Sequence, residues 1–248
     1  MTEQTADYDQ APLLSPRFVW KLTAGVAVLC LLTLAISIGG RMFGRTVLLA
    51  GHTAETHPVH IRIGANDITL PANVIRFQAE RRDGPRDAVD TYFAWPGMRG
   101  YSPRTRPIFD QTDPSSRDRG LLFASLAQST MSRDMSGRYR PIYSRLIEGP
   151  AAAGPGGLVS YRLRATTGYS NELLYVDPAG GDTPYVVRCL VAAPNEPTLD
   201  TMTGCQRDVF IGTGLTMTYR FSINLLAHWR QIEIDLRNRM QTALSPSN

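Results

Sequence analysis

The stretch 206–244, QRDVFIGTGLTMTYRFSINLLAHWRQIEIDLRNRMQTAL, changes its hydrophobic period halfway along, and that change decides the fold. Up to Phe221 the period is two. Leu215, Met217, Tyr219 and Phe221 fall on one face, while Thr216, Thr218 and Arg220 fall on the other, as in a half-buried strand. QRDVFIG reads as the preceding strand, joined to it by a tight turn at Thr213 and Gly214. Beyond Ser222 the period becomes helical. Leu225, Trp229, Ile232, Leu236, Met240 and Leu244 recur every three or four residues, with Ser222 or Asn224 able to cap the helix start. A strand pair and a helix that are each apolar on one side bury those sides against one another. The predicted class is therefore α+β: an antiparallel sheet with a C-terminal amphipathic helix packed on it.

Further strands are expected upstream. Val59, Ile61 and Ile63 alternate with His60 and Arg62, and DITLPANVIRF (67–77) reads as a strand, a proline-marked break and another extended or helical turn. DTYFAWPG (90–97), LVSYRLRA (158–165), ELLYVD (172–177) and TPYVVRCLVA (183–192) add four more. LLFASLAQST (121–130) suits a strand or a helix equally. GRYRPIYSRLI (137–147) is broken by Pro141, and its alternation suits a strand presenting Arg138 and Arg140 to solvent. Residues 79–88 and 98–120 read as loops, the latter the longest irregular section.

The N-terminal part bears on compartment. From Leu22 to Gly40 the chain carries no charge, a run roughly 28 Å long as a helix and close to the hydrocarbon thickness of a bilayer. Trp20 and Lys21 precede it and Arg41 and Arg45 follow, as interfacial anchors. A cleaved signal peptide fits less well: Glu3, Asp7 and Asp9 would lie in its n-region, and no A-x-A pattern precedes a polar start. The expected organisation is a disordered tail (1–17), one transmembrane helix (18–40), a juxtamembrane linker (41–57) and a single extracytoplasmic domain (58–248). The flanking basic residues tie, so orientation rests on the cysteines. Cys30 lies in the span, where Thr23 and Ala27 give a weak small-residue packing signal. Cys189 and Cys205 flank the segment APNEPTLDTMTG. They have neither the spacing nor the neighbouring histidine of a zinc site, and no base to activate a thiol. A disulfide is expected, contributing roughly 3 kcal/mol on a loop-entropy estimate. It places the domain in an oxidising compartment: the periplasm of a bacterium, with the helix in the inner membrane and the N-terminus cytoplasmic.

Composition narrows the chemistry. The net charge of +4, from 26 basic and 22 acidic residues, is too mild to argue for nucleic acid, and none is expected as a partner. Lys21 is the only lysine, which removes Schiff-base and P-loop chemistry from the domain. His52, Glu55, His57 and His60 are numerically enough for a metal, but Pro58 and the change into a strand give no face that gathers them, so no metal or cofactor is expected. The carboxylate pairs Asp87 and Asp90, Asp177 and Asp182, and Glu233 and Asp235 have no evident common cleft. Ser170 in GYSNE lacks the second glycine of a nucleophile elbow. What remains is a set of arginines interleaved with tyrosines: Arg138, Arg140, Arg145, Arg162 and Arg164. They form the candidate interaction surface, as bidentate donors or as the wet side of strands. The sequence thus suggests a membrane-anchored binding or scaffold protein, an accessory subunit of a cell-envelope complex, whose partners are the lipid bilayer and another envelope protein. Its homo-oligomerisation is undetermined. A membrane-tethered hydrolase whose site forms only in the fold, or an envelope sensor subunit, are the alternatives.

Overall fold

The computed structural model describes residues 16–48, 51–110, 120–164, 166–169, 171–190 and 204–244, with backbone alone for 16 and 39–48. Two compact units divide between Ala50 and Gly51, and each is described by itself. The first is helix α1 (Pro16–Leu48). Its segment Arg17–Ile38 is long and apolar enough to cross a membrane, as an anchor or a signal sequence. The two threonines of this segment return their hydroxyls to the helix. Thr23 Oγ1 donates to the Val19 carbonyl at 2.9 Å, and Thr33 Oγ1 to that of Leu29 at 2.8 Å, so neither polar group needs water.

The second unit is built on two sheets. Strands β1 (Pro58–Ile63), β2 (Asn66–Pro71) and the two-residue β3 (Gly84–Pro85) form a small sheet in the order β2-β1-β3. The large sheet contains β4 (Ala88–Trp95), β5 (Gly120–Gln128), β6 (Ile147–Ala153), β7 (Val159–Leu163), β8 (Glu172–Val176), β9 (Val186–Leu190), β10 (Cys205–Phe210) and β11 (Leu215–Phe221). Its order is β4-β5-β11-β10-β9-β8-β7-β6, antiparallel throughout. One-turn helices α2 (Arg106–Phe109) and α3 (Ser144–Leu146) lie in the connections, and α4 (Trp229–Ala243) closes the fold.

The period change of residues 206–244 is reproduced in three dimensions. Leu215, Met217, Tyr219 and Phe221 are fully buried, and α4 meets them with Trp229, Ile232, Leu236 and Met240. Val59, Ile61, Ile63, Ile68 and Leu70 of the small sheet join the same core. Each such side chain contributes roughly 1.5–3 kcal/mol of hydrophobic burial. Ser222 heads the turn that precedes α4, its Oγ accepting from the Asn224 amide at 3.2 Å.

A buried ionic network crosses this core. Arg207 of β10 donates through Nε to Glu233 Oε2 at 2.9 Å, through Nη1 to the Val186 carbonyl at 2.8 Å and through Nη2 to Ser136 Oγ at 3.0 Å. Tyr219 Oη and Arg237 Nε donate to the same carboxylate. Burial opposes the Glu233 charge, and Arg207, Tyr219 and Arg237 outweigh it, holding the carboxyl below its ordinary value. Through Ser136, which itself donates to the Pro184 carbonyl, the network fixes the connection between β5 and β6.

Two ambiguous segments resolve. The run 121–130 becomes strand β5, because β4 and β11 pair with it on both sides. Residues 137–147 are not a strand up to Leu146: Tyr139–Tyr143 form a wide helical turn that continues into α3. Pro141 has no N–H to give a ladder, whereas the amides of Ile142 and Tyr143 both reach the Arg138 carbonyl, at 3.0 and 3.2 Å. Arg138 and Arg140 therefore lie on or beside a helical turn rather than on a wet strand face.

Candidate functional site

Among the described residues, two aromatic clusters lie at the ends of the face of the large sheet turned away from α4. At the β4 end, Tyr92 packs with Tyr101, Phe109 and His52. The imidazole stacks on Tyr92 and Tyr101 with ring centroids 5.3 and 4.7 Å apart, and Nδ1 lies 2.9 Å from Tyr92 Oη. Towards β6, a second apolar cluster forms from Met135, Tyr143, Leu163, Leu174, Val176 and Val186. Between them runs a groove of about 600 Å³.

The strand register orders its floor in rows. Phe123, Arg220, Gln206 and Arg188 face one another from β5 to β9. The next row is Asp90, Ser125, Thr218 and Asp208, and the third is Ala127, Thr216 and Phe210, all read from β4 or β5 to β10. Small hydroxyl and methyl side chains in the middle of the second and third rows make the floor low. The aromatic plugs at both ends make the walls high.

Four arginines line the groove against two aspartates. Arg138 is mostly buried and ion-paired with Asp208, its guanidinium 5.8 Å from the Tyr143 ring centroid. Arg188 lies 3.2 Å from Glu172 and over the Tyr169 ring at 4.4 Å. That contact is one of charge rather than hydrogen bonding, since Arg188 Nε and Glu172 Oε2 are buried without a hydrogen-bond partner among the described residues. Arg76 sits over Phe123 at 5.0 Å and Phe77 at 4.9 Å. Arg220 donates to Gln206 Oε1 at 2.9 Å. Neither Arg76 nor Arg220 has a carboxylate within ion-pair distance among the described residues.

Of the five arginines singled out in the sequence, the groove takes up Arg138 alone. Arg140 pairs with Asp182. Arg145 is exposed on α3, and Arg162 and Arg164 are exposed on or just after β7, where Arg162 stands opposite Glu148 of β6. Tyr161 packs into the second cluster, so Arg162 points to the opposite face. Arg220 was readable as part of the polar face of LTMTYRF. Arg76 and Arg188 carried no local signal.

The remaining candidates disperse. His52 is taken by the aromatic stack, while His60 bonds Thr69 and Asp83 on the outside of β1. Among the described residues no three His, Cys, Asp or Glu side chains are placed to hold a metal. Asp182 faces Arg140 and Asp177 faces Arg230, while Glu233 belongs to the core network and Asp235 bonds Gln231. Ser170 lies outside the described residues. Cys189 and Cys205 are directly opposite on β9 and β10, bonded as a disulfide and fully buried. Cys189 lies near the end of β9 and Cys205 opens β10, and residues 191–203 between them lie outside the described residues.

No protein-family model and no curated protein sequence matches the chain. Two solved structures resemble it. An immunity protein of the Stenotrophomonas maltophilia type IV secretion system is 16% identical over 79% of this chain and 96% of its own, with a TM-score of 0.49. The Neisseria meningitidis iron-regulated outer membrane lipoprotein FrpD is 12% identical over 78% and 95%, with a TM-score of 0.46. At these identities and scores neither likeness carries a functional argument.

Proposed function

We propose that the chain is a membrane-anchored extracytoplasmic binding protein, an accessory subunit of a bacterial cell-envelope complex that engages a protein partner through the groove. In this reading residues 18–40 span the inner membrane, the N-terminus is cytoplasmic, and residues 58–248 form one periplasmic domain. The observation that carries it is the chemistry of the groove. Arginines, hydroxyls and aromatic rings line it, and no His, Cys or Lys stands among the described lining residues. The arginines and rings suit recognition; of the two aspartates beside the floor's hydroxyls, Asp208 is taken up by Arg138.

The disulfide supports the compartment, because such bonds persist outside the reducing cytosol. The hydrolase alternative is less well supported. Asp90 and Asp208 stand three strand positions apart, roughly 14 Å between backbones at about 4.8 Å per strand, and Asp208 is held by Arg138. Carboxylates that hydrolyse glycosides stand about 5–9.5 Å apart.

The test is affinity purification of the full chain in mild detergent, beside a Thr218→Trp variant whose indole fills the low centre of the floor. An envelope protein enriched with the native chain and lost with T218W, while both melt alike by circular dichroism, is the expected result. Recovery of a solitary chain in repeated conditions would overturn the reading.

A further inference from the structure

We propose that Arg76, Phe123 and Arg220 form an anion subsite in the groove, which takes the side-chain carboxylate of an extended acidic segment of the partner protein. The proposal rests on the groove being the binding surface and names what that surface selects. Free positive charge is unevenly spread along it. The charges of Arg138 and Arg188 are balanced by Asp208 and Glu172. Arg220 stands directly opposite Phe123 in the β5–β11 ladder, and the Arg76 guanidinium lies over the same ring. Two arginines without a carboxylate partner among the described residues thus flank one aromatic side chain, Arg76 over its ring and Arg220 on the neighbouring strand. Both are exposed, and the ring that holds the Arg76 plane leaves its N–H edge to bond a carboxylate in the fork geometry.

The next row makes the subsite selective. Asp90 and Asp208 end the row that holds Ser125 and Thr218, so a second carboxylate placed there would meet like charge, whereas a hydroxyl or amide would find partners. The third row adds Ala127 and Phe210, and the exposed side chain of Met131 also lines the groove. Successive rows are two residues apart along the strands, roughly 6.8 Å. An extended peptide places every second side chain on one face with the same repeat. A segment lying along the strands with an acidic, then a polar, then an apolar side chain at alternate positions matches the three rows in turn. An acidic polysaccharide or lipid headgroup supplies the anion but not this graded series, which is why a peptide is favoured.

The probes are two labelled heptapeptides in fluorescence anisotropy with the full chain in detergent, VETSTLT and its reverse TLTSTEV, each beside a version with Gln for Glu. The expected result is that one order binds, that its Gln version binds at least about ten-fold more weakly, and that this preference vanishes in Arg76→Gln/Arg220→Gln. The Glu peptide should also weaken as salt is raised. Arg162→Gln/Arg164→Gln, equally exposed but outside the groove, should keep the full preference. The proposal is overturned by equal affinity for Glu and Gln peptides, by a preference that survives in the groove variant, by no binding of either order, or by a polyglucuronate that competes at lower carboxylate concentration than the Glu peptide. Partner capture separates the two readings. Loss with T218W but not with the arginine variant removes the subsite and leaves the groove, while capture indifferent to both removes the two together.

Discussion

Arg207 of β10 and Glu233 of α4 meet through the hydrophobic core, Nε 2.9 Å from Oε2, with only 4% and 14% of their side chains exposed. An ion pair this deep is costly to break, because the survivor remains charged without its counter-charge. Glu233→Gln keeps the shape and removes the charge, leaving Arg207 with the Val186 carbonyl and Ser136 Oγ. The expected loss is about 3 kcal/mol in urea denaturation at neutral pH. The native pair also sets an acid limit. Because the folded carboxyl is held below its ordinary value of 4.5, the pair's contribution is full above that value and is lost as pH falls through the folded one. Acid denaturation between pH 5 and 3 should therefore be less steep in the Gln variant. An equal slope would exclude Glu233 as the controlling group.

The Cys189–Cys205 bond joins neighbouring strands inside the core, with both sulfurs out of reach of solvent. Dithiothreitol should leave it intact in native protein and reduce it once urea opens the sheet. Replacing both cysteines with Ala should lower stability by about 3 kcal/mol, the loop-entropy value for a separation of 16 residues. Non-reducing peptide mapping of native material is the direct check. Two free thiols would remove the bond and the argument for an oxidising compartment.

These elements differ in how far they could be read from the chain. The β10–β11 pair and α4 were legible because Leu215 to Phe221 and Leu225 to Leu244 repeat on one face over enough residues for the period to be unambiguous. The run 121–130 was not, since LLFASLA is apolar without a clean period and is settled only by β4 and β11 on either side. Residues 137–147 misled for another reason: a three-residue alternation around Tyr139 resembles a strand, while Pro141 and the local amide bonds impose a helical turn. The groove was least legible. Arg76, Arg188 and Arg220 come to one groove only through the order β4-β5-β11-β10-β9, in which Arg220 stands opposite Phe123 across about two-fifths of the chain. Short-range spacing carries no trace of such a pairing.

His52 should titrate below its ordinary value of 6.5. Burial opposes its proton, and Arg81 and Arg76 add to that, while Asp110 favours the charged form and is outweighed. The neutral ring accepts from Tyr92 Oη in the tautomer that leaves Nδ1 without hydrogen, and protonation removes that acceptor. A lowered folded value means that the unfolded chain binds the proton first, so stability should fall as pH drops from 6.5 towards the folded value. The imidazole resonances in an NMR titration give the midpoint directly. His52→Phe should keep the stack and flatten the stability slope in this window, and an unchanged slope would assign it to another group.

Gly156 tests how the α4 end of the core is closed. Its φ of +62° lies in the left-handed region, and an added Cβ would come within 2.6 Å of the Ala227 carbonyl oxygen. Its own carbonyl accepts from Trp229 Nε1 at 3.0 Å, so the turn and the first residue of α4 are held together. Gly156→Ala must therefore distort the backbone, move Ala227, or both, at an expected cost of about 2 kcal/mol or more. Gly157→Ala is the control. Its φ is +80°, yet no atom lies within 4 Å of the added Cβ, so it should show the backbone penalty alone, about 1 kcal/mol. The difference between the two in urea denaturation measures the close approach of the turn to α4. Equal losses would mean that the contact yields without cost and that the turn is not what closes this end of the core.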